Sequence, residues 1–557
     1  MKKIAALILT LIMVLGLFAA CGEVGGGDNN DSVVADPFGV YDPKITVTYA
    51  MPFYADWVNS LRALDQSIED NVWTDAAKKY LGIKLVLIDG TTEVGSYYER
   101  LTSQIAAGNF PDFANVGTAE MSVSYYGALY RSNLLADLTE VFEKSGSADF
   151  KSTLAAAGDA VFLPCTFGGK KMGLPMTDSL GGQSNAYWYI RKDWLDNLNM
   201  SAPTNLEELF AVARAFTVGD PDGNGENDTV GIACSQFFKS NLSGIFNGFG
   251  AYPDMWIEDG SNHLVYGSIQ PEMKDAVEYI RELFSNGYMM DYTAASEADM
   301  DSAVRTGRAG IFGGRIFSAS LASNAKKVNP AAEFVAVPVF GQSSSDEVKL
   351  SSALNSYFYY AVNADSRHPE AVVKLCNLFI KAATDKGELY EELIAGPDGT
   401  DRSSFAPVRM LSITPEHVDG KTLREEMMDA FETRNPSGIT TPYYRDTVYP
   451  SIIDYLDNDN INGYANYLIF GENGTAWQIE KFRENVDFVI NSYIGEQTAS
   501  MKLYSDTLYE VEYTGLSAII IGEEQLDYFD VYVDSWKTGG GDDITREVNE
   551  WYATVTG

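Results

Sequence analysis

The residues best arranged for chemistry form one short polar segment, Asp220-Pro-Asp-Gly-Asn-Gly-Glu-Asn-Asp228. Oxygen-bearing residues recur there at every second position, and Gly225 lets the chain turn, as in the first half of a calcium-binding loop. The predicted ligands are Asp220, Asp222, Asn224, the backbone carbonyl of Glu226, and Asp228. Position twelve of such a loop would be Gly231, so the bidentate glutamate is absent. The alternative is a turn-rich surface loop; we predict a structural calcium ion.

Aromatic side chains make up 12% of the chain, so most of them must serve ordinary packing. Several lie where strands end or loops turn, in the segments 51–57, 125–126, 186–189 and 252–256. An aromatic face beside polar groups suits a sugar ring, whose axial hydrogens are apolar while its hydroxyls need hydrogen-bond partners. The pattern indicates sugar binding, with packing as the alternative for each residue.

Hydrolytic chemistry has little support in the chain. The three histidines, His263, His368 and His417, lie in no recognisable motif, and no Gly-x-Ser-x-Gly, His-Glu-x-x-His or phosphate-binding glycine loop is present. A glycoside hydrolase needs a pair of carboxylates. The 78 acidic residues offer many such pairs, and the sequence selects none of them.

The N-terminus predicts export. Lys2 and Lys3 precede an apolar stretch that ends in small residues, which is typical of a signal peptide over 1–20. Leu17-Phe-Ala-Ala-Cys-Gly22 resembles a bacterial lipobox, with Phe18 where Leu is usual, so we predict lipid on Cys21. The polar, glycine-rich start of 21–43 predicts a flexible tether. We expect the protein to be held at the outer face of the cell membrane, and no later run is long and apolar enough to span it.

Composition bounds the partners. A net charge of −38 opposes binding to nucleic acid or anionic lipid and favours solubility. Once Cys21 is lipidated, an odd number of cysteines is left, Cys165, Cys234 and Cys376, which argues against a disulfide framework and predicts buried free thiols.

Helical and extended patterns alternate from Lys44 onward, which predicts an α/β fold. The segments 45–50 and 83–88 are predicted strands, and a helix from about Ser96 carries Tyr97, Leu101 and Ile105 on one face. Pro271 to Gly287 is the clearest helix, with proline in its first turn and glycine just past its end. A further helix is predicted over 526–536, before three glycines.

Several stretches spread over nearly the whole chain resemble one family, the bacterial family 1 extracellular solute-binding proteins, the lipid-anchored receptors of ABC importers in their long Gram-positive form. The stretches are Gly108-Asn-Phe-Pro-Asp112, Gly169-Lys-Lys-Met-Gly-Leu-Pro175, Tyr189-Ile-Arg-Lys-Asp-Trp-Leu195, Pro203-Thr-Asn-Leu-Glu-Glu-Leu209, the loop at Asp220, Thr306-Gly-Arg-Ala-Gly310, His368-Pro-Glu-Ala371, and Leu526-Asp-Tyr-Phe-Asp530 leading to Glu547-Val-Asn-Glu-Trp-Tyr552.

The resemblance implies a type II periplasmic-binding-protein fold, in which two α/β lobes close on a solute at the cleft between them. Crossings near Gly173 and Gly341 are implied, so each lobe is discontinuous in sequence. The expected division places lobe 1 at 44–172 and 341–410, and lobe 2 at 173–340 with a C-terminal helical part at 411–557. The calcium loop of some oligosaccharide-binding relatives matches 220–228, with Thr229 where those relatives have a further acid.

For the cleft we predict aromatic platforms and polar contacts near loop turns. The platforms are Trp57, Tyr125, Trp188 and Trp256, and the polar contacts are Arg315, Asn355 and Tyr357. Gly313-Gly314 precedes Arg315 after a predicted strand, where missing side chains let backbone approach a ligand. Packing is the alternative for each of these residues.

The resemblance implies a non-enzymatic, monomeric receptor that captures a carbohydrate, expected to be an oligosaccharide, and delivers it to ABC permease subunits in the membrane. Two alternatives stay open at this point. One is a secreted glycoside hydrolase or lyase, and the other is a sugar-sensing partner of a membrane kinase.

Overall fold

The computed structural model describes residues 35–53, 55–90, 94–117, 119–177, 186–352, 356–385, 387–394, 402–410, 420–441, 444–478 and 488–556. The predicted signal peptide, Cys21 and Asn355 lie outside the described residues.

The strands are numbered in chain order. They are β1 Ile45–Ala50, β2 Ile83–Asp89, β3 Phe113–Asn115, β4 Thr166–Phe167, β5 Lys170–Lys171, β6 Gly173–Thr177, β7 Tyr187–Arg191, β8 Val230–Ile232, β9 Trp256–Glu258, β10 Leu264–Tyr266, β11 Ala309–Gly314, β12 Phe334–Pro338, β13 Leu350–Ser352, β14 Ser356–Val362 and β15 Phe488–Ile490.

Helices pack on both sheets and are named below by their ranges. They are Ala55–Ala63, Val72–Ala76, Val94–Ala106, Ala119–Arg131, Thr139–Ser145, Ala148–Ala157, Lys192–Asn197, Leu206–Val218, Phe238–Asn241, Ser243–Gly248, Pro271–Ser285, Glu297–Arg305, Ala319–Val328, Pro369–Thr384, Glu388–Leu393, Gly420–Thr433, Tyr449–Asn458, Tyr464–Phe470, Ala499–Ile521, Tyr528–Trp536 and Asp542–Thr556.

The first large sheet has the order β2-β1-β3-β14-β6. Strands β1, β2 and β3 are parallel, and β14 runs antiparallel to both β3 and β6. The carboxyl ends of β1, β3 and β6 therefore meet the start of β14 at one edge of this sheet.

The second large sheet has the order β12-β7-β11-β8. Strand β7 is antiparallel to β12 and β11, and β8 is parallel to β11. The first residue of β7, Tyr187, pairs with Gly314 and Pro338. The carboxyl ends of β11 and β12 therefore share an edge with the start of β7.

Each sheet has its own hydrophobic core. The helix Pro369–Thr384 packs with the first sheet, whereas helices from 420 to 556 pack with the second. Among the described residues, three pairs of successive segments lie in different bodies: Thr177 and Ala186, Ser352 and Ser356, and Met410 and Gly420. The predicted two-lobed α/β fold is confirmed.

Two predicted lobe boundaries need correction. Gly173–Thr177 is a fully buried strand paired with β14, so the chain leaves lobe 1 after Thr177 rather than at Gly173. Gly341 still belongs to lobe 2, because its carbonyl accepts a hydrogen bond from the Leu206 amide, and Leu350 lies in the second core.

The packed part of the chain begins earlier than the predicted end of the tether at 43. Tyr41 is buried, and its hydroxyl donates to Glu370 Oε1 at 2.8 Å. The Lys374 ammonium donates to the carbonyls of Asp36 and Gly39, and Asn377 Nδ2 donates to that of Pro37. Residues 36–43 are thus fastened to the helix Pro369–Thr384 of lobe 1.

Local predictions agree with the structure where they rest on strong patterns. Strand β1 and the helix Pro271–Ser285 form as expected, with Gly287 in the left-handed region at φ 71°. The last predicted helix begins at Tyr528 rather than Leu526. Cys165, Cys234 and Cys376 are buried free thiols, as predicted. Within the described ranges, no helix has both the length and the apolar character needed to cross a membrane.

Candidate functional site

We call one edge of the first sheet the crossing edge. It is the edge at which β1, β3 and β6 end and β14 begins, and there lobe 1 faces the connections to lobe 2. The Thr177 amide donates to the Met410 carbonyl at 2.8 Å, which holds two points of crossing side by side. Ligands of open α/β sheets bind outside the carboxyl ends of the strands. This edge is therefore the place to look for a binding site.

A pocket lies at this edge. Its lining residues are Met51, Pro52, Trp57, Asn115, Phe358, Tyr360, Ala406 and Arg409. Met51 and Pro52 follow β1, Asn115 ends β3, and the half-buried Trp57 comes from the helix Ala55–Ala63. The pocket thus combines aromatic faces with one amide and one guanidinium group, and its described lining residues include no carboxylate and no histidine.

Tyr360 fixes the backbone of Arg409. The Arg409 amide donates to the Tyr360 hydroxyl at 2.7 Å, and that hydroxyl donates to the Arg409 carbonyl at 3.1 Å. Burial raises the pKa of Tyr360, while the nearby Arg409 opposes the rise, so the phenol stays protonated at neutral pH. A buried strand residue therefore holds the arginine in place at the pocket.

The Arg409 guanidinium is the unusual group of the pocket. Among the described residues it forms no ion pair, and its Nε is buried without a hydrogen-bond partner. Buried donors in proteins are nearly always satisfied, so an unpaired one calls for an explanation. The sequence reasoning missed Arg409, which lies in a segment without a local motif.

Lobe 2 presents two exposed aromatic residues at its own crossing edge. Phe317 follows β11 and is 51% exposed, and Phe237 follows β8 and is 50% exposed. A Cβ on Gly313 would lie 2.5 Å from the Asn241 carbonyl oxygen, which places the segment after Phe237 beside the end of β11. These two side chains were also missed, although large apolar residues directly after strand ends are a usable signal.

The four predicted platforms have different fates. Trp57 lies in the pocket. Tyr125 does not: it lies between two helices, and its hydroxyl accepts a hydrogen bond from Thr102 Oγ1 at 3.3 Å. Trp188 is 0% exposed in the core of lobe 2, and Trp256 is 5% exposed, with its ring against Tyr266. Neither tryptophan offers a face to a solute, so these two predictions were wrong.

The predicted polar contacts lie near the crossing points. Arg315 is exposed directly after β11, at the lobe 2 edge, and its role in binding stays a prediction. Tyr357 is the second residue of β14. The glycines before Arg315 are explained by packing within the chain, because a Cβ on Gly314 would lie 2.6 Å from the Ser318 side chain.

The loop 220–228 folds into the tight turns expected of its sequence. The Gly225 amide donates to Asp220 Oδ2 at 3.1 Å, and the Glu226 amide donates to Asn224 Oδ1 at 2.6 Å. Asn224 Nδ2 donates to Asp222 Oδ2 at 2.9 Å. Burial, with Asp228 and Asp220 nearby, raises the pKa of Asp222. The side chains therefore crowd negative charge into one turn.

The donor types of this loop fit a hard cation, because they are all oxygens. Across the described part of the chain, however, no three His, Cys, Asp or Glu side chains converge as in a formed metal site. Calcium binding by Asp220, Asp222, Asn224, Glu226 and Asp228 would therefore require their side chains to rearrange.

One ion pair joins the lobes directly. Arg131, at the end of the lobe 1 helix Ala119–Arg131, lies 2.5 Å from Glu496 Oε1 on the segment after β15. Both side chains are at least partly exposed to solvent. The pair is therefore a surface contact across the interface between the lobes.

Comparison with known proteins identifies the class. The model of the bacterial extracellular solute-binding proteins matches residues 55–386, which is more than half of the chain, and the protein belongs to this family. Among characterised relatives, the polygalacturonan/rhamnogalacturonan-binding protein YtcQ of Bacillus subtilis is 25% identical over 99% of this chain and 98% of its own length.

A second relative is FusA of Streptococcus pneumoniae, a fructooligosaccharide ABC transporter substrate-binding protein. It is 26% identical over 41% of this chain and 43% of its own length. Its structure with kestose has a TM-score of 0.55 at 13% identity, covering 92% of this chain and 99% of FusA. An extracellular solute-binding protein from Bifidobacterium longum subsp. infantis has a TM-score of 0.60 at 15% identity, covering 93% and 99%. These structures share the fold.

Proposed function

We propose that the protein is the receptor of an ABC importer and captures an oligosaccharide in the cleft between its lobes. The pocket at the crossing edge carries the proposal, because Trp57 lies there beside Asn115 and Arg409. An aromatic face takes the C–H side of a sugar ring, and the polar groups take its hydroxyls. Closure of the lobes then converts binding into a signal for the permease subunits.

The relatives support a sugar oligomer as the solute. The name of YtcQ specifies polygalacturonan and rhamnogalacturonan, and that of FusA specifies fructooligosaccharides. The exposed Phe237 and Phe317 on the lobe 2 edge support the same proposal. They would meet the opposite side of a ring held against Trp57 when the lobes close around it.

Calorimetric titration with a panel of acidic and neutral oligosaccharides tests the proposal. We expect saturable binding to the monomeric protein without conversion of the sugar. We also expect a rise in melting temperature, since a ligand at 100 times its Kd stabilises the folded state by about 2.7 kcal/mol. The absence of saturable binding across the panel would contradict the receptor role.

Two other functions make different predictions. A glycoside hydrolase needs two carboxylates beside the sugar, and none is among the described lining residues of the pocket. Product formation from a polysaccharide panel would favour that enzyme over the receptor. A sensory partner of a membrane kinase would bind the same sugar, and a deletion strain that still takes up the sugar would favour that role over import.

We also propose that lipid on Cys21 holds the protein at the outer face of the membrane. The extracellular character of the family and the signal-peptide pattern of 1–20 support this. A Cys21→Ser variant should be released into the medium of the expressing cells. Its retention in the membrane fraction would contradict the anchor.

Calcium binding by the loop 220–228 is a further part of the proposal, supported by its all-oxygen donors and by the crowding around Asp222. Titration of calcium into chelator-treated protein should release heat and raise the melting temperature. The double variant Asp222→Asn/Asp228→Asn should lose both effects, whereas Asp506→Asn on an exposed helix face should keep them. If calcium released no heat with the wild-type protein, calcium binding by this loop would be contradicted.

A further inference from the structure

We propose that the solute carries a carboxylate, as a uronic-acid unit of an oligosaccharide does, and that Arg409 binds this carboxylate. The inference rests on the proposed receptor function and deepens it. It starts from the hydrogen-bond and ion-pair partners of the Arg409 side chain.

Arg409 has the features of a group held ready for an anion. Its Nε is buried without a partner, and no described carboxylate pairs with its guanidinium. An arginine stays charged at all physiological pH values, so the buried Nε–H of Arg409 stays a donor without a partner. A carboxylate supplied by the solute would satisfy the charge and the donors together, because the two planar groups form two parallel hydrogen bonds.

The backbone of Arg409 is fixed from behind. The hydroxyl of Tyr360 holds both the amide and the carbonyl of Arg409, and the next residue, Met410, accepts a hydrogen bond from Thr177. A side chain on a backbone that is already held loses less conformational freedom when it binds. This rigidity favours recognition of a specific group over general attraction of anions.

The surroundings suit a sugar ring that bears an acid. Trp57, Phe358 and Pro52 supply apolar surface on the other parts of the lining. The chain as a whole repels anions, with a net charge of −38. Because no acidic residue is among the described lining residues of this pocket, a single guanidinium can reverse the local potential. The net charge of the whole chain disfavours an anionic solute, whereas the charge within this pocket favours one.

The test compares two probes that share one sugar backbone and differ in charge. Trigalacturonate carries three carboxylates, and its fully methyl-esterified form carries none. By calorimetry at pH 7 and low salt, we expect the wild-type protein to bind the acid at least tenfold more tightly than the ester. Raising the salt concentration should weaken binding of the acid and leave the ester unchanged, because salt screens charge–charge attraction.

Arg409 variants locate the preference. Arg409→Met should lower affinity for the acid at least tenfold while affinity for the ester changes less than about twofold, and Arg409→Lys should retain part of the preference because its single point charge cannot form the paired contact. Arg214→Met is the matched control, since Arg214 is exposed on a lobe 2 helix and should change neither affinity. Melting curves check that each variant is folded.

The outcomes separate the inference from the function on which it rests. Equal binding of acid and ester, or equal losses for both in Arg409→Met, would overturn the inference and leave the receptor in place. Binding of only neutral oligosaccharides such as kestose would do the same. No binding of any oligosaccharide would overturn the proposed function itself.

Discussion

Each lobe contains a cation that is at least partly withdrawn from water, and the two cations have different partners. In lobe 2 the ammonium of Lys239 lies 2.6 Å from both Asp254 and Glu512. In lobe 1 no described carboxylate pairs with Arg409, and its Nε has no partner. A charge that serves the fold carries its counter-charge with it. Arg409, the cation without a described counter-charge, is the better candidate for binding a solute.

The tryptophans of the two lobes repeat this contrast. Trp188 fills the core of lobe 2, where a Cβ on Gly244 would come within 2.7 Å of its ring. Trp57 is half-buried and lines the pocket of lobe 1. The type of side chain is the same in both places. Its exposure at a crossing edge is what indicates function.

The largest expected effect concerns Lys239. Lys239→Met leaves the buried Glu512 beside Asp254 without their cation, and breaking a buried pair in this way costs about 3–5 kcal/mol. Arg409→Met should change the free energy of unfolding by less than about 1 kcal/mol, because it removes no internal ion pair. Urea unfolding of both variants measures the difference. A similar loss of unfolding free energy in both variants would contradict the distinction between the two cations.

The Lys239→Met loss should also depend on pH. Burial raises the pKa of Glu512, and without the ammonium its ionised form is the costly one. A carboxyl whose folded pKa is raised keeps its stability contribution below its unfolded pKa, about 4.3 for Glu, and loses it as pH rises through the folded pKa. The variant should therefore be closer to wild type at pH 5 than at pH 8.

Replacing the two tryptophans sharpens the contrast. Trp188→Ala should destabilise the protein by about 3 kcal/mol or more, since it opens a cavity in a packed core. Trp57→Ala should cost clearly less, because its ring is half-buried at a pocket. Thermal unfolding of both variants under the same conditions measures this. Equal losses would mean that Trp57 is a core residue too.

Solute affinity, unlike stability, should depend strongly on Trp57. We expect Trp57→Ala to weaken affinity for the preferred oligosaccharide about tenfold, equivalent to about 1.4 kcal/mol, through loss of the stacking face. Phe317→Ala on the opposite edge should weaken it about threefold. The matched control is Val531→Ala, an exposed apolar residue on the helix Tyr528–Trp536. An unchanged affinity in Trp57→Ala would remove it from the site.

The smallest effect is expected for the ion pair between the lobes. Arg131→Ala should change the free energy of unfolding by about 0.5 kcal/mol, since exposed ion pairs contribute little. It should still alter the balance between open and closed lobes, which small-angle scattering of the sugar-free protein reports. An unchanged scattering profile would show that the pair does not influence this balance.

Local patterns predicted much of the fold. Strand β1 and the helix Pro271–Ser285 were recognised from strand and helix periodicity and from a terminal proline and glycine. The lobe boundaries at 173 and 341 were less accurate, because which sheet a strand joins depends on distant partners. Gly173–Thr177 pairs with β14, more than 170 residues later in the chain.

The site was predicted only in part for the same physical reason. Trp57 and Arg409 meet in one pocket from opposite ends of lobe 1, so no local spacing could connect them. Trp188 was misassigned because an aromatic residue beside a turn also fits a buried strand. The whole of β7, Tyr187–Arg191, is buried, and such continuous apolar runs are typical of central strands.

The docking of residues 36–43 on the helix Pro369–Thr384 has a mechanical consequence. Tyr41 and Lys374 fasten the incoming chain to lobe 1 alone. Tension applied at the N-terminus is therefore borne by one body and does not load the three connections to the other. If lipid on Cys21 anchors the chain as proposed, the free energy of closing lobe 2 onto lobe 1 would not depend on the tension in the anchored segment.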